Sequence, residues 1–255
     1  MFSEERLSQL HKTIVANKSV TIDELSQSFE VTPMTIRRDL DKLCKIYPNI
    51  KRCHGGAIIV TEVNIEENFE SKRTHNAEEK QKIAQRAFRE ISDNDTIYLD
   101  AGTTVLELAK LIAASDLKLT IVTNDIEIAR LLMNTPSDII LTGGMIQKST
   151  GCVLGSLAEE MISKIKLKIA FMGATAINEN YEVLTPSFEK RSMKPKIIDN
   201  ALRSYLLVDK DKFNKYSTYV IYSLKDFTGI ITNKDFTSSE KAILMRQDVN
   251  IIEEI

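Results

Sequence analysis

The chain has 255 residues, 43% hydrophobic and 27% charged, with a formal net charge of −2. That length leaves room for a small domain beside one of about 170–190 residues. A near-neutral balance excludes a general nucleic-acid coat protein, and without a long apolar run no membrane span is expected. Cys44, Cys53 and Cys152 are odd in number and lack metal-type spacing. No disulfide framework, zinc site or cofactor is therefore expected, and a reducing cytoplasm is the expected location. The first residues read as a charged amphipathic helix rather than a signal peptide.

A first helix is expected over 3–16, burying Leu7, Leu10, Ile14 and Val15. Thr21 followed by Asp23-Glu24 marks a second start, with Ile22, Leu25 and Phe29 inward. Glu30-Val31 leaves a tight connection before a third helix, in which Thr32 is the cap and Pro33 the first helical residue. Ile36, Leu40 and Leu43 fall at i, i+4, i+7, while Thr35, Arg37 and Arg38 project elsewhere from the first two turns. Short polar and guanidinium groups there suit phosphates and base edges. Pro48 ends the helical stretch, and Gly55-Gly56 suits a hairpin turn. Residues 31–60 hold six Lys/Arg against Asp39 and Asp41, whereas residues 1–30 are net acidic. The positive charge therefore sits on the third helix and the hairpin, as a helix-turn-helix with a basic wing requires.

Residues 61–76 read as a charged connector. From Ala77 a helix follows, with Ile83, Ala84, Ala87 and Phe88 inward, and residues 92–95 form a turn. Strands are then expected at 96–100, 119–123, 139–142, 169–172, 205–208 and 229–232. Helices are expected at 104–113, 126–133, 157–165 and 194–202. Apolar strands alternating with helices imply a mainly parallel sheet covered on both faces. Asp100, Gly102, Thr103-Thr104, Asn124, Gly143-Gly144, Gly173 and Asp209 all fall just past strand ends, the edge where open α/β sheets bind ligands. Gly102 with Thr103-Thr104 at a helix start suits an anion such as phosphate. Asp100, Asn124 and Asp209 suit sugar hydroxyls, and Lys194 and Lys212 add positive charge. Glycine at a βα turn is also ordinary turn chemistry, so the reading rests on the group of residues.

TIRRDL at 35–40 with RCHGGA at 52–57 resembles the DNA-binding domain of the DeoR-type family of bacterial sugar-metabolism repressors. LDAGTT at 99–104, VTN at 122–124, LTGG at 141–144 and LLVDKDKF at 206–213 resemble its sensor domain, in order. The resemblance implies an α/β protein: a winged helix-turn-helix at 1–60, a linker at 61–76, and a larger, mainly parallel α/β sensor domain at 77–255, similar to ribose-phosphate isomerase. It implies DNA contacts by Thr35, Arg37 and Arg38, with Arg52 and His54 on the wing. In TPSFEKRSMK it places Glu189 and Lys194 at the family's Glu and Lys positions, within a site for a phosphorylated sugar. The implied partners are a double-stranded operator, that sugar effector and further copies of the chain, as a dimer or tetramer. The chain departs from the family at Tyr47-Pro48-Asn49 before the wing, at Ala176, and at Val183-Leu184-Thr185.

Two other classes compete. A sugar-phosphate isomerase would use Glu189 as general base and Asp100, Lys194 and Asp209 to polarise a carbonyl. A recognition helix with a wing has no use in such an enzyme. An RNA-binding module would need an aromatic stacking platform, and none is evident.

Overall fold

The computed structural model describes residues 3–17, 19–47, 50–53, 55–59 and 69–252. The chain divides into two units, Met1–Val63 and Asn64–Ile255. The first holds helices α1 (Ser3–Asn17), α2 (Ile22–Ser28) and α3 (Pro33–Ile46), with strands β1 (Ser19–Thr21), β2 (Ile50–Cys53) and β3 (Gly56–Ile59). The Thr21 hydroxyl accepts from the Glu24 amide at 3.2 Å and the Glu24 carboxylate accepts from the Thr21 amide at 3.0 Å, a closed capping box. Thr32 caps α3 through the Thr35 amide at 3.3 Å, with Pro33 in the first turn. Leu10, Ile14, Ile22, Leu25, Ile36, Leu40 and Leu43 form one buried core. Val15 is 49% exposed rather than inward.

β1 was absent from the sequence expectation, because three residues carry no periodicity of their own. It pairs antiparallel with β3, giving the order β1-β3-β2. The two wing glycines do different work. Gly55 takes the turn at φ +88° and its carbonyl accepts from the Ile22 amide at 2.8 Å. Gly56 lies in β3, where a Cβ would stand 2.0 Å from the Val20 carbonyl oxygen. His11 stacks on Tyr47 at 3.8 Å between ring centroids and closes the end of α3.

In chain order the second unit comprises α4 (Phe69–Thr74), α5 (Ala77–Phe88), β4 (Thr96–Leu99), α6 (Thr103–Ala113), β5 (Thr120–Thr123), α7 (Ile126–Leu132) and β6 (Asp138–Leu141). There follow β7 (Met145–Gln147), β8 (Cys152–Leu154), α8 (Ser156–Ser163), β9 (Leu167–Met172), β10 (Ala176–Ile177), β11 (Glu182–Thr185) and α9 (Phe188–Asp199). Last come β12 (Ala201–Leu207), β13 (Tyr219–Ser223), β14 (Gly229–Ile231), α10 (Ser238–Arg246) and β15 (Ile251–Ile252). Seven parallel strands run in the order β15-β14-β12-β9-β4-β5-β6. Alternate residues serve opposite faces, as the two-residue period demands. Ile97, Leu99, Ile169 and Phe171 join Ile83, Val105 and Leu108 on one side. Tyr98, Ala170, Met172 and Leu206 join Ile162, Met193 and Ile197 on the other.

Three expectations are corrected. Within the stretch read as connector, α4 is helical, and the ammonium of buried Lys80 supplies donors to its Lys72 carbonyl and to the His75 carbonyl. The hairpin β7–β8 and the antiparallel sheet β10-β11-β13 interrupt the strand–helix alternation. Their strands are two to five residues long, too short to show as separate apolar runs. The helix expected at 194–202 instead begins at Phe188, because the Ser187 hydroxyl caps the Lys190 amide at 3.2 Å and Pro195 lies inside the helix rather than at its start. Residues 201–202 open β12. Among the described residues, no helix is long and apolar enough to cross a membrane.

Candidate functional site

On α3 the buried stripe faces the core, which leaves Arg37 and Arg38 exposed, while Thr35 is half-buried and shares a 3.0 Å hydrogen bond with the Thr32 hydroxyl. Asp39, one of the two acidic residues of this helix, is turned inward. Its carboxylate pairs with Arg6 of α1 at 2.6 Å and is 3% exposed, so it does not offset the outward arginines. Arg52 is described through its backbone in β2 only, and His54 lies outside the described residues. The residues that depart from the family before the wing, Pro48 and Asn49, also lie outside them.

In the second unit, the chain leaves β4 for β5 and β6 on one side and returns to β9 on the other. The strand order reverses between β4 and β9, and at such a switch point the loops diverge and open a crevice. A pocket lies there, lined by residues 101–105 after β4, residues 173–175 after β9, Leu207–Val208 at the end of β12, and the side chains of Lys72, Lys190, Lys194 and Lys212. Gly102 gives α6 no side-chain cap. The amides of Thr103, Thr104 and Val105 therefore have no intrahelical acceptor, and the positive end of the helix dipole opens into the pocket.

Lys194 and Asp100 organise the floor. The Lys194 ammonium donates to Asp100 Oδ2 at 2.5 Å and to the Gly173 carbonyl at 2.9 Å, while the Gly173 amide donates to the same carboxylate oxygen at 3.0 Å. Asp100 is fully buried, and its Oδ1 has no partner. Asp209, also fully buried, accepts at Oδ1 from the Asn76 amide at 3.2 Å and from the Asp211 backbone at 3.0 Å, and its Oδ2 has no partner. A cluster of ammonium groups at a bare helix N-terminus, beside carboxylates with unused acceptors, matches an anion that also carries hydroxyl groups.

Not every expected residue reaches this pocket. Gly102, Thr103, Thr104, Lys194 and Lys212 line it, and Asp100 supports it from below. Asn124 acts one layer away: its side chain accepts from the Ala101 amide at 3.1 Å and positions the loop after β4. Gly143 and Gly144 lie outside the lining. Gly144 takes φ +137° and passes so close to β8 that a Cβ would stand 2.4 Å from the Leu154 carbonyl oxygen, which is a packing role. Glu189 also lies outside. It is exposed, and hydrogen bonds from its own amide and from the Ser187 hydroxyl hold its carboxyl below the usual range. The base required by an isomerase is therefore outside the pocket. Lys190 takes a place inside instead, and its spacing of four residues from Lys194 puts both on one buried helix face. That spacing was readable in the sequence. Lys72 gave no such signal, since nothing local distinguishes it from the charges around it.

Asp125 caps α7, accepting from the Glu127 and Ile128 amides at 2.8 and 3.2 Å. Burial, reinforced by the nearby Asp100, raises its pKa to about 6. The folded state thus keeps a proton between pH 4 and 6 that the unfolded chain releases, so this group lowers stability as pH rises through that window. Asp125→Asn preserves a capping oxygen and removes the charge. It is expected to raise stability at pH 7 by about 2–3 kcal/mol and to have little effect at pH 4. Denaturant unfolding at both pH values checks this, and an equal effect at the two would contradict the assignment.

A winged helix-turn-helix unit with an outward basic face, followed by an α/β unit with a ligand pocket at its switch point, defines a ligand-sensing DNA-binding regulator. Residues 6–63 match the DeoR-like helix-turn-helix domain and residues 75–234 match the DeoR C-terminal sensor domain. The chain belongs to the DeoR family of transcriptional regulators. It is 32% identical to an uncharacterized HTH-type transcriptional regulator of Haemophilus influenzae, over 98% of this chain and 97% of that one. It is 30% identical to the lactose phosphotransferase system repressor of Lactococcus lactis, over 93% of each. Among solved structures it is similar to ribose 5-phosphate isomerase A of Methanocaldococcus jannaschii, with 17% identity, 54% of this chain and 55% of that chain covered, and a TM-score of 0.40.

Proposed function

We propose that this regulator represses carbohydrate-metabolism genes and that a phosphorylated sugar in the switch-point pocket controls its hold on DNA. The observation that carries the proposal is a lysine-lined pocket backed by buried carboxylates. Lys72, Lys190, Lys194 and Lys212 line it together with the uncapped start of α6, and behind the lining lie the fully buried carboxylates of Asp100, paired with Lys194, and of Asp209, in the turn that carries Lys212. The first group suits a phosphate and the second suits sugar hydroxyls. The Lactococcus lactis relative, a repressor of a sugar phosphotransferase system by name, supports the same reading. In this reading Thr35, Arg37 and Arg38 enter the major groove, and Arg52 and His54 on the wing meet the flanking backbone. The second unit carries a dimer or tetramer in the cytoplasm. The sugar relieves repression by binding the DNA-free arrangement more tightly than the DNA-bound one.

The test has two arms on the full chain. In the first, pentose and hexose phosphates, the parent sugars and inorganic phosphate are screened by thermal shift. A sugar phosphate at about a hundred times its dissociation constant is expected to stabilise the protein by about 2.7 kcal/mol, and its parent sugar to have no effect. In the second, an operator is selected from random duplexes. Arg37→Ala and Arg38→Ala should each weaken its binding by about 1–3 kcal/mol while leaving the sugar-phosphate shift intact. The pocket assignment fails if no phosphorylated sugar shifts the melting, and the helix assignment fails if both variants bind DNA like the wild type.

A further inference from the structure

One lining residue belongs to neither of the two matched domains. Residues 64–74 fall between the stretches that match the helix-turn-helix and sensor families, yet Lys72 of α4 is part of the pocket wall. α4 begins at Phe69, six residues along the sequence from the last residue of the first unit, Val63.

The corner that follows α4 is hooked to the same pocket. His75 Nε2 lies 2.8 Å from Asp211 Oδ2. Asn76 is held at φ +52°, in the left-handed region, and its side-chain amide donates to Asp209 Oδ1 at 3.2 Å and to Asp211 Oδ2 at 2.8 Å. Asp209, Asp211 and Lys212 all lie in the turn that leaves β12. Below the corner, the ammonium of Lys80, 3% exposed, donates to the Lys72 carbonyl and, at 2.6 Å, to the His75 carbonyl. Such a buried cation is costly unless its donors are used, so α4 has a built seat rather than a chance position.

We propose that α4 is the element through which the pocket controls the DNA-binding unit, with Lys72 as a further residue that binds the effector's phosphate. Four lysines contribute to the wall of this pocket, three from the sensor fold and Lys72 from α4. A phosphate dianion bound there attracts all four, so it holds Lys72 near the start of α6 and with it fixes α4 on its seat. This inference rests on the sugar-phosphate reading above and adds to it the route by which the signal leaves the site.

The test uses full-length wild type, Lys72→Gln and Lys80→Met, with the sugar phosphate that gives the largest shift in the screen and inorganic phosphate as the second probe. Calorimetry first records whether the probe binds. Hydrogen exchange of residues 69–80 and release of the selected operator are then read at saturation. In wild type, exchange of this segment is expected to slow at least tenfold and the operator to be released. Lys72→Gln should need a several-fold higher concentration to saturate. Once saturated, it should show neither the slowed exchange nor the release. Lys80→Met, which keeps every pocket side chain, should bind within a few-fold of wild type and also fail to release DNA. The inference is overturned if saturated wild type shows unchanged exchange over 69–80, or if either saturated variant releases the operator as fully as wild type. If calorimetry finds no binding by any sugar phosphate, the functional reading itself falls and this inference falls with it, a result separate from binding without transmission.

Discussion

Replacing Lys194 by methionine is expected to cost the second unit about 3–5 kcal/mol, the largest loss of stability available from one pocket residue. The ammonium is 8% exposed and sits 2.5 Å from an Asp100 carboxylate with no exposure at all. Methionine fills similar volume but leaves that carboxylate oxygen to the Gly173 amide, an uncharged donor. The Gly173 carbonyl loses a donor at the same time. The cost therefore arises chiefly from the stranded charge, not from lost packing. A second substitution checks the cause: Asp100→Asn combined with Lys194→Met removes both charges and should cost clearly less than the sum of the single changes. Denaturant unfolding of the four proteins gives the cycle, and strict additivity would contradict a coupled pair. In the proposed function the single variant also loses stabilisation by sugar phosphates.

Gly56→Ala is expected to abolish operator binding while the second unit still unfolds at its own temperature. The new methyl would begin 2.0 Å from the Val20 carbonyl oxygen, and that neighbour is backbone in a paired strand, unable to rotate away. Relief requires β1 and β3 to part, which removes the support beneath the wing. Overpacking costs about 1–3 kcal/mol in a core that can adjust. A unit of about 60 residues has little stability to lose, and here the neighbour cannot adjust. Gly55→Ala supplies the comparison. Its Cβ would meet open space, so only the φ of +88° is penalised, at about 1–2 kcal/mol. A mobility-shift titration should show binding retained by Gly55→Ala and lost by Gly56→Ala. Equal affinity in the two would remove the close approach from this argument.

At α2 and α3 the signals are local, and there the sequence alone determined the outcome. Thr21 with Glu24 and Thr32 with Pro33 start α2 and α3 where their hydrogen bonds require, since a cap depends on residues three apart. The spacing of Ile36, Leu40 and Leu43 fixed which side of α3 is buried and hence that Arg37 and Arg38 face outward. The apolar runs alternating with helices were enough for a parallel sheet with two covered faces. The departures Ala176 and Val183 prove to be buried strand residues paired through β10 and β11, outside the pocket lining.

Tertiary structure decided what depends on the order of strands and on contacts between distant residues. Gly143-Gly144 and Gly102 look alike along the chain, since both follow a strand. Only the placement of β6 at the sheet edge and of β4 beside β9 puts Gly102 at the switch point and leaves Gly143-Gly144 in the connection from β6 to the β7–β8 hairpin. Glu189 and Lys190 are neighbours in sequence, and the direction of one helix face sends the second into the pocket and the first to solvent. Lys72 carries no local mark of function. It becomes part of the site because Lys80, His75 and Asn76 seat its helix against Asp209 and Asp211, more than a hundred residues away, and hydrogen bonds over that separation leave no periodic trace in a sequence.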